Sequence, residues 1–452
     1  MPEWGTVSNI QPSRYDAGTA YVTVDGHQVD NREPWVLKTS DHGKSWKLIV
    51  NGIPRTPLSY AHWVKEDPVR RGLLYLGTEN ALYLSFNDGE LWQPLQSNLP
   101  HAPVHDITVQ EHFNDLVIAT YGRGFWILDD ITPLQQLTAE VAAKEAHLFA
   151  PRPAYRFRGA EAPFFAFYDP VARQNPSYGA SINYWLKAKQ DSVSIALLDA
   201  TGKEVRVIKD PPKAAGINRI TWNLLLEQTR EPLVRTPPMY SPHVRAELAG
   251  KASPSLGRVA LLAPPGRYTV RLKVGSQEFT QPLELRKDPN TPGTEQDIAA
   301  QVALAGELVR TLDSVVEMTN TIERVRLQLA TLKALAREDT AVARATDSLE
   351  QKFLGVEEQL TQVRITGRGQ DLIRYPARTG EKLVYLLGDI GSTDNAPTAS
   401  QREVGGVLRQ RARAAREELD RVIQRDLDSF NRMLRDKGLG GIFAKPEPAK
   451  IP

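Results

Sequence analysis

The chain has no cysteine among its 452 residues. That excludes disulfides, thiolate nucleophiles and cysteine-ligated metals, and it leaves the redox compartment open. Long apolar runs are also missing: none reaches the roughly 18–20 residues that a membrane-spanning helix needs. The first ten residues, MPEWGTVSNI, show no basic stretch followed by an apolar core, so no signal peptide is visible. The eight histidines are scattered and form no H-E-x-x-H motif, which removes the helix-borne metal site, and the expectation is no metal and no cofactor. There is no P-loop, no G-x-G-x-x-G fingerprint and no nucleophile elbow. Charge of one sign is lacking too. The net charge of +2 gives no electrostatic reason for a nucleic-acid or membrane-surface partner.

The remaining composition is that of a folded, multidomain protein. Hydrophobic content of 41% and charged content of 24% are ordinary for a globular chain, and the length exceeds what one core accommodates.

The strongest internal signal is a repeat. "TSDHGKSWKLI" from Thr39 is followed by a blurred copy, "SFNDGELWQPL" from Ser85, with Trp46 and Trp92 separated by 46 residues. Around the second copy, "YAHWVKED", "GLLYLGT", "ALYLSF" and "LWQPL" read as four short strands divided by turns. A further unit begins at Val104, and Thr78 and Thr120 hold matching places 42 residues apart. Four antiparallel strands in about 40 residues is the unit of a β-propeller blade, and three such units are readable, the last without the turn motif.

The motif has a physical basis. Asp41 can accept backbone N–H groups of its turn, Gly43 supplies a positive φ, Thr39 and Ser45 can bond across the hairpin, and Trp46 can cover it. The pattern [ST]-x-D-x-G-x-[ST]-W resembles the Asp box of the bacterial neuraminidase repeat (BNR). The first copy fits throughout. In the second, Ser85, Gly89 and Trp92 fit, Asn87 replaces the Asp and Leu91 the Ser/Thr. The resemblance implies a folding element on the outer edge of a blade, away from any central pocket. From Tyr60 to Leu137 the chain resembles the last blades of large bacterial BNR-repeat proteins, sialidase-like or sortilin-like and often labelled glycosyl hydrolase, and the likeness extends to "INYWLK", "PPGRYTVRL" and "APTASQREV". It implies the C-terminal part of a longer, secreted or periplasmic protein whose first blades lie upstream.

Beyond the repeat the periodicity changes twice. After residues 1–137, the partial propeller, residues 138–156 read as a linker with Pro151 and Pro153 in an extended crossover. Residues 157–290 carry strand signals with hairpin turns at "DATGK" and "VGSQE", expected as an immunoglobulin- or fibronectin-like β-sandwich with Trp185 and Trp222 in its core. It is interrupted by a Pro/Ser/Arg-rich insertion over 226–262. From residue 294 a stripe running from Ile298 to Leu335 steps by threes and fours, and further helices follow near 341–363, 379–390 and 400–436. Ser400 and Glu403 suggest a capping box for the last, with Val404, Leu408, Leu419 and Phe430 in its stripe. Residues 291–437 form the expected helical bundle and 438–452 a disordered tail. The charged run "RQRARAAREELDR" alternates in sign and reads as a solvated face.

Chemistry is sparse. A glycosidase needs two carboxylates at separations of about 5–10 Å, and Asp67, Glu79 and Asp106 are the carboxylates near inner strands and top-face loops. Loops after the second strand of a blade line the ligand face of a propeller. That nominates Tyr121 and Arg123 in "TYGRG", with Glu79 and Asn80 in the matching place one unit earlier. The alternative for Arg123 is a turn whose arginine pairs with a neighbouring acid. Two functions follow: binding or scaffolding of a peptide or glycan, with no complete catalytic set in this chain, or a fragment of a glycoside hydrolase whose carboxylates lie mainly upstream. Three blades do not close a ring, so pairing with upstream blades or self-association is expected.

Overall fold

The computed structural model describes residues 2–158, 177–243, 248–336, 338–366 and 371–444. The described part is β-rich over its N-terminal half and helical at its C-terminal end. Two compact units share it: Met1–Ala154 with Glu161–Asn223 and Arg267–Glu284, and Tyr155–Ala160 with Leu224–Gly266 and Leu285–Pro452. No described helix is long and apolar enough to cross a membrane.

In the first unit, three antiparallel sheets follow one another along the chain. The first holds β1 (Thr6–Pro12), β2 (Ala20–Gly26), β3 (Asn31–Thr39) and β4 (Lys47–Leu48), hydrogen-bonded in that order. The second repeats it with β5 (Ala61–Glu66), β6 (Leu74–Thr78), β7 (Leu82–Ser85) and β8 (Gln93–Pro94). The third has three strands, β9 (Val104–Gln110), β10 (Asp115–Thr120) and β11 (Gly124–Leu128). β1 is an element that sequence patterning did not reveal, because its apolar residues Val7 and Ile10 are exposed and do not alternate cleanly.

The sheets stack face to face, and the period-2 alternation of strands explains how. Leu74 and Leu76 of β6 join Tyr21 and Val36 of the first sheet in one core; Leu73 and Tyr75 point the other way, into a core with Val104, Ile107 and Leu116 of the third. A strand buried on both faces reads as the continuous apolar run "LLYLGT".

The same unit contains two further sheets. Ala146–Leu148, Ala180–Leu186 and Gly216–Trp222 make one, and Val193–Leu198 lies between Glu204–Ile208 and Gly266–Val274 in the other. Trp222 and Tyr268 meet edge to face at 5.3 Å. Both hairpin turns form; Asp199 accepts from the backbone N–H groups of Thr201 and Lys203. Two expectations need correction. Trp222 is buried, but Trp185 is only half-buried and donates to the Lys144 carbonyl. The 138–156 stretch is structured ahead of its prolines: Thr138 caps a short helix, Ala139–Ala143, and Ala146–Leu148 pairs with Ala180–Leu186. Residues 159–176 of the expected sandwich lie outside the described residues.

The second unit is built on the helix Glu295–Leu335, opened by a reciprocal Thr294–Asp297 capping box and about 60 Å long at 1.5 Å per residue. Helices Thr340–Leu360, Thr379–Ile390, Ala399–Arg421 and Asp428–Asp436 share its core, with a π-helical turn at Val422–Leu427. The cap of Ala399–Arg421 is Thr398 with Gln401, two residues before the expected Ser400–Glu403 pair. Val404 and Leu335, counted in apolar stripes, are exposed. The 226–262 insertion belongs to this unit. Arg230, Leu233 and Thr236 donate backbone N–H groups to Asp313, Asn320 and Glu323 of the long helix. Part of the expected disordered tail is ordered by packing: Ile442 is buried, and Asn431 bonds both its N–H and its carbonyl. Residues 445–452 lie outside the described residues.

Candidate functional site

Each of the three stacked sheets carries the same irregularity in its first strand. Val7 pairs with Val24 and Asn9 with Thr23, leaving Ser8 as an extra residue. Ala61 pairs with Thr78 and Trp63 with Gly77, leaving His62. Val104 pairs with Thr120 and Asp106 with Ala119, leaving His105. An extra residue in a ladder bends the strand and re-aims a side chain. Ser8, His62 and His105 are therefore equivalent positions, and they fall at the end where the second strand of each sheet turns into the third.

At that end the turns add their own side chains. His62 Nε2 lies 2.8 Å from Glu79 Oε2, which comes from the turn between β6 and β7. The His62 and His105 rings stack at 4.1 Å with an interplanar angle of 27°. Tyr121, from the turn between β10 and β11, lies against His105 at 5.7 Å. On the other side, Tyr60 meets His62 edge to face at 5.2 Å and stacks on His27 at 5.0 Å. Asp25, at the end of β2, holds His27 Nδ1 at 2.7 Å and approaches His62 Nδ1 at 3.8 Å. Five rings, His27, Tyr60, His62, His105 and Tyr121, thus form a continuous row, with Asp25 and Glu79 flanking the central imidazole.

Burial is graded along the row. His62 and Tyr60 are buried, Glu79 is half-buried, and His105 and Tyr121 are exposed, Tyr121 at 76%. Burial raises the Tyr60 hydroxyl to about 12, with its hydrogen bond to Glu79 and the charges of Glu79 and Asp25 adding to the effect. Burial lowers His105, and the neighbouring His62 lowers it further. Both shifts favour the neutral form, so at neutral pH Tyr60 is a hydroxyl donor and the exposed imidazole of His105 is a free base. His62, Glu79 and His105 each offer one ligand atom within 4.8 Å of the others.

The sequence-derived candidates divide. Glu79 and Tyr121 belong to the row and are joined through His62 and His105. Asn80 engages His101 Nδ1 through its backbone carbonyl. Arg123 gives its carbonyl to Trp126 Nε1, and it stands in an exposed turn whose Gly122 and Gly124 both have positive φ. Of the carboxylates, Asp67 is fully buried and held by Tyr75 Oη, Gln135 and the backbone of Val69 and Arg70, which makes it a turn-closing group with no access to a ligand. Asp106 is exposed on β9. Asp25, His27, Tyr60, His62 and His105 were not found in the sequence. The signal existed: His62 and His105 are 43 residues apart, one repeat period, at the second position of the first strand in "YAHWV" and "PVHDI".

The Thr39–Trp46 turn closes as its chemistry dictates. Asp41 Oδ1 accepts from Thr39 Oγ1 at 2.8 Å and from the Ser45 N–H at 2.9 Å, and Oδ2 accepts from Ser45 Oγ at 2.6 Å. These bonds hold the carboxyl down at about 2. The degenerate copy keeps the core of the arrangement, with Asn87 Oδ1 accepting from Ser85 Oγ and the Leu91 N–H. The two tryptophans differ. Trp92 is 2% exposed and donates to the Ile49 carbonyl of the preceding sheet; Trp46 is half-buried and donates to Gly43 within its own turn.

No protein-family model matches the sequence, and no curated protein matches it. Solved structures with partial likeness include the GH74 enzyme of Niastella koreensis, at 13% identity over 62% of this chain and 46% of that one, TM-score 0.24. The GH74 xyloglucanase of Xanthomonas campestris is similar at 13% identity over 66% and 40%, TM-score 0.22. The extracellular domain of a protein described as a hybrid two component system from B. thetaiotaomicron is similar at 10% identity over 62% and 31%, TM-score 0.22. This chain spans less than half of each of these structures, and at such TM-scores the superpositions carry no argument about activity.

Proposed function

We propose that the three stacked sheets are blades of a BNR-type β-propeller and that the row from His27 to Tyr121 is its ligand surface, with a glycan as the ligand. On this reading the chain is part of a larger extracytoplasmic protein. The observation that carries the reading is the juxtaposition of an exposed aromatic face with fixed polar groups. Tyr121 offers an open ring beside His105, and Asp25, Tyr60 and Glu79 supply hydrogen-bonding groups held in place by their neighbours. A sugar has the matching character, an apolar face of C–H groups rimmed by hydroxyls, and sites of this kind combine aromatic walls with a few placed polar groups. Residues 157–290, read as an immunoglobulin-like sandwich, and the helical bundle then act as spacer or docking modules.

The test is calorimetric titration of the intact chain with neutral β-glucan oligosaccharides and with sialylated oligosaccharides. Tyr121→Ala should weaken binding about 10-fold or more, the weight of about 1.4 kcal/mol, with no change in melting temperature because the ring is exposed. Arg123→Ala should weaken only the anionic series. Saccharide binding that is absent, or indifferent to Tyr121→Ala, refutes the proposal.

A second reading, glycoside hydrolysis, is favoured by one observation: Asp25 and Glu79 flank a single imidazole. Release of reducing ends that disappears in Glu79→Gln would select it over simple binding.

A further inference from the structure

We infer that His62, Glu79 and His105 form a binding site for one divalent transition-metal ion of the Zn²⁺ class. The site stands independently of whether the surrounding surface binds a glycan. Four observations carry it. The donor set is two imidazoles and one carboxylate, a combination that suits zinc-class ions and leaves a coordination position open. Their ligand atoms lie within 4.8 Å of one another, and the pair His62 Nε2 and Glu79 Oε2 is already at 2.8 Å. Contraction to the roughly 3.3 Å edges of a tetrahedral site falls to exposed His105 and half-buried Glu79, the two ligands with the most freedom.

The third observation is the carboxylate behind the buried ligand. Asp25 Oδ2 faces His62 Nδ1 at 3.8 Å, and Asp25 is itself anchored by His27. At that distance the carboxylate acts on the far nitrogen of the ligating imidazole as a nearby negative charge, which favours an N–H there and raises the basicity of the ligating nitrogen. The fourth is the backbone. Both histidines are extra residues at the same place in consecutive first strands, so two independent bulges bring two imidazoles side by side, their rings 4.1 Å apart. Exposed Tyr121 lies beside His105, so water or an oxygen of a ligand could complete the shell from solvent.

The experiment uses the intact 452-residue chain, chelator-treated and free of saccharide, titrated near neutral pH with Co²⁺ in the spectrometer and Zn²⁺ in the calorimeter. The expected result is one ion per chain, with visible d–d absorption of low-symmetry Co²⁺ that Zn²⁺ abolishes. His105→Ala and Glu79→Gln should each weaken binding at least about 10-fold, and Asp25→Asn, acting through His62, by about 10-fold. His42→Ala, at an exposed histidine outside the row, should change nothing. Circular dichroism confirms folding, and His105→Gln serves if the alanine variant is unstable. Absence of saturable binding overturns the inference, as does binding that survives His105→Ala. Because no saccharide is present, either result leaves the glycan reading untouched.

Discussion

The two tryptophans of the repeated turn make opposite demands on the fold, and replacing each by alanine separates them. Trp92 is sealed between the first and second sheets, 2% exposed, with its indole N–H 2.8 Å from the Ile49 carbonyl. Truncating a fully buried tryptophan leaves a large cavity and costs about 3–5 kcal/mol, and orphaning the Ile49 carbonyl keeps the cost in the upper part of that range. Trp46 covers Val22, Val24 and Leu37 from one side only and bonds to its own turn. Its loss removes part of one apolar contact and one local hydrogen bond, about 1–2 kcal/mol together. For a unit of this size each kcal/mol moves Tm by about 2–4 °C, so Trp92→Ala should melt roughly 6–20 °C below the wild type and Trp46→Ala roughly 2–8 °C below. Thermal melts followed by near-ultraviolet circular dichroism resolve that difference. Equal shifts for the two variants, or a Trp92→Ala protein within about 1 kcal/mol of the wild type, would show that the second tryptophan does not lock adjacent sheets together.

Further outcomes follow from the same geometry. The Asp41 carboxyl titrates in the folded chain at about 2, below its ordinary value of 3.8, so its contribution is full above the ordinary value and lost as pH falls towards 2. Asp41→Asn, which mimics the native Asn87, should keep the turn and remove that acid dependence, as comparison of acid unfolding curves would show. In the helical unit, Arg326 is surrounded by Glu323, Glu350 and Glu357. Burial pushes Glu357 well above the carboxylate range despite Arg326, so the protonated form is favoured in the fold and stability falls as pH rises above the ordinary glutamate value. Glu357→Gln should flatten that decline in denaturant titrations between mildly acidic and alkaline pH, whereas Arg326→Met should cost about 3–5 kcal/mol by leaving carboxylates unpaired. Finally, Val7 and Ile10 on β1 and Phe125 and Ile127 on β11 are exposed. Apolar residues on the outermost strands of a stack invite further sheets or a second copy. Ile10→Lys with Phe125→Lys should reduce concentration-dependent association in sedimentation velocity, and an unassociated wild type would refute the idea.

How far the sequence revealed this protein depended on whether a residue's role is set by its neighbours in the chain. At the Thr39–Trp46 turn the hydrogen bonds are set locally, because Thr39, Asp41, Gly43 and Ser45 satisfy one another within seven residues. The strands of the second sheet were legible because burial on both faces writes a continuous apolar run. β1 was not, since an exposed strand carries no such pattern. The same division separates the site residues. Glu79 and Tyr121 were readable as occupants of equivalent turns. His62 and His105 were not, because each looks like an isolated histidine in a strand until the extra residue in the ladder is seen. That irregularity exists only in the pairing between strands, and it shifts the side chain out of the ordinary inward–outward alternation. Asp25 and His27 were further still from view, since their importance arises from Tyr60 and His62 one sheet away. The repeat period was the bridge. Aligning the units on Thr78 and Thr120 brings His62 and His105 into register within one residue, and a pair of imidazoles at equivalent positions of consecutive sheets is the feature on which both the proposed ligand surface and the proposed metal site turn.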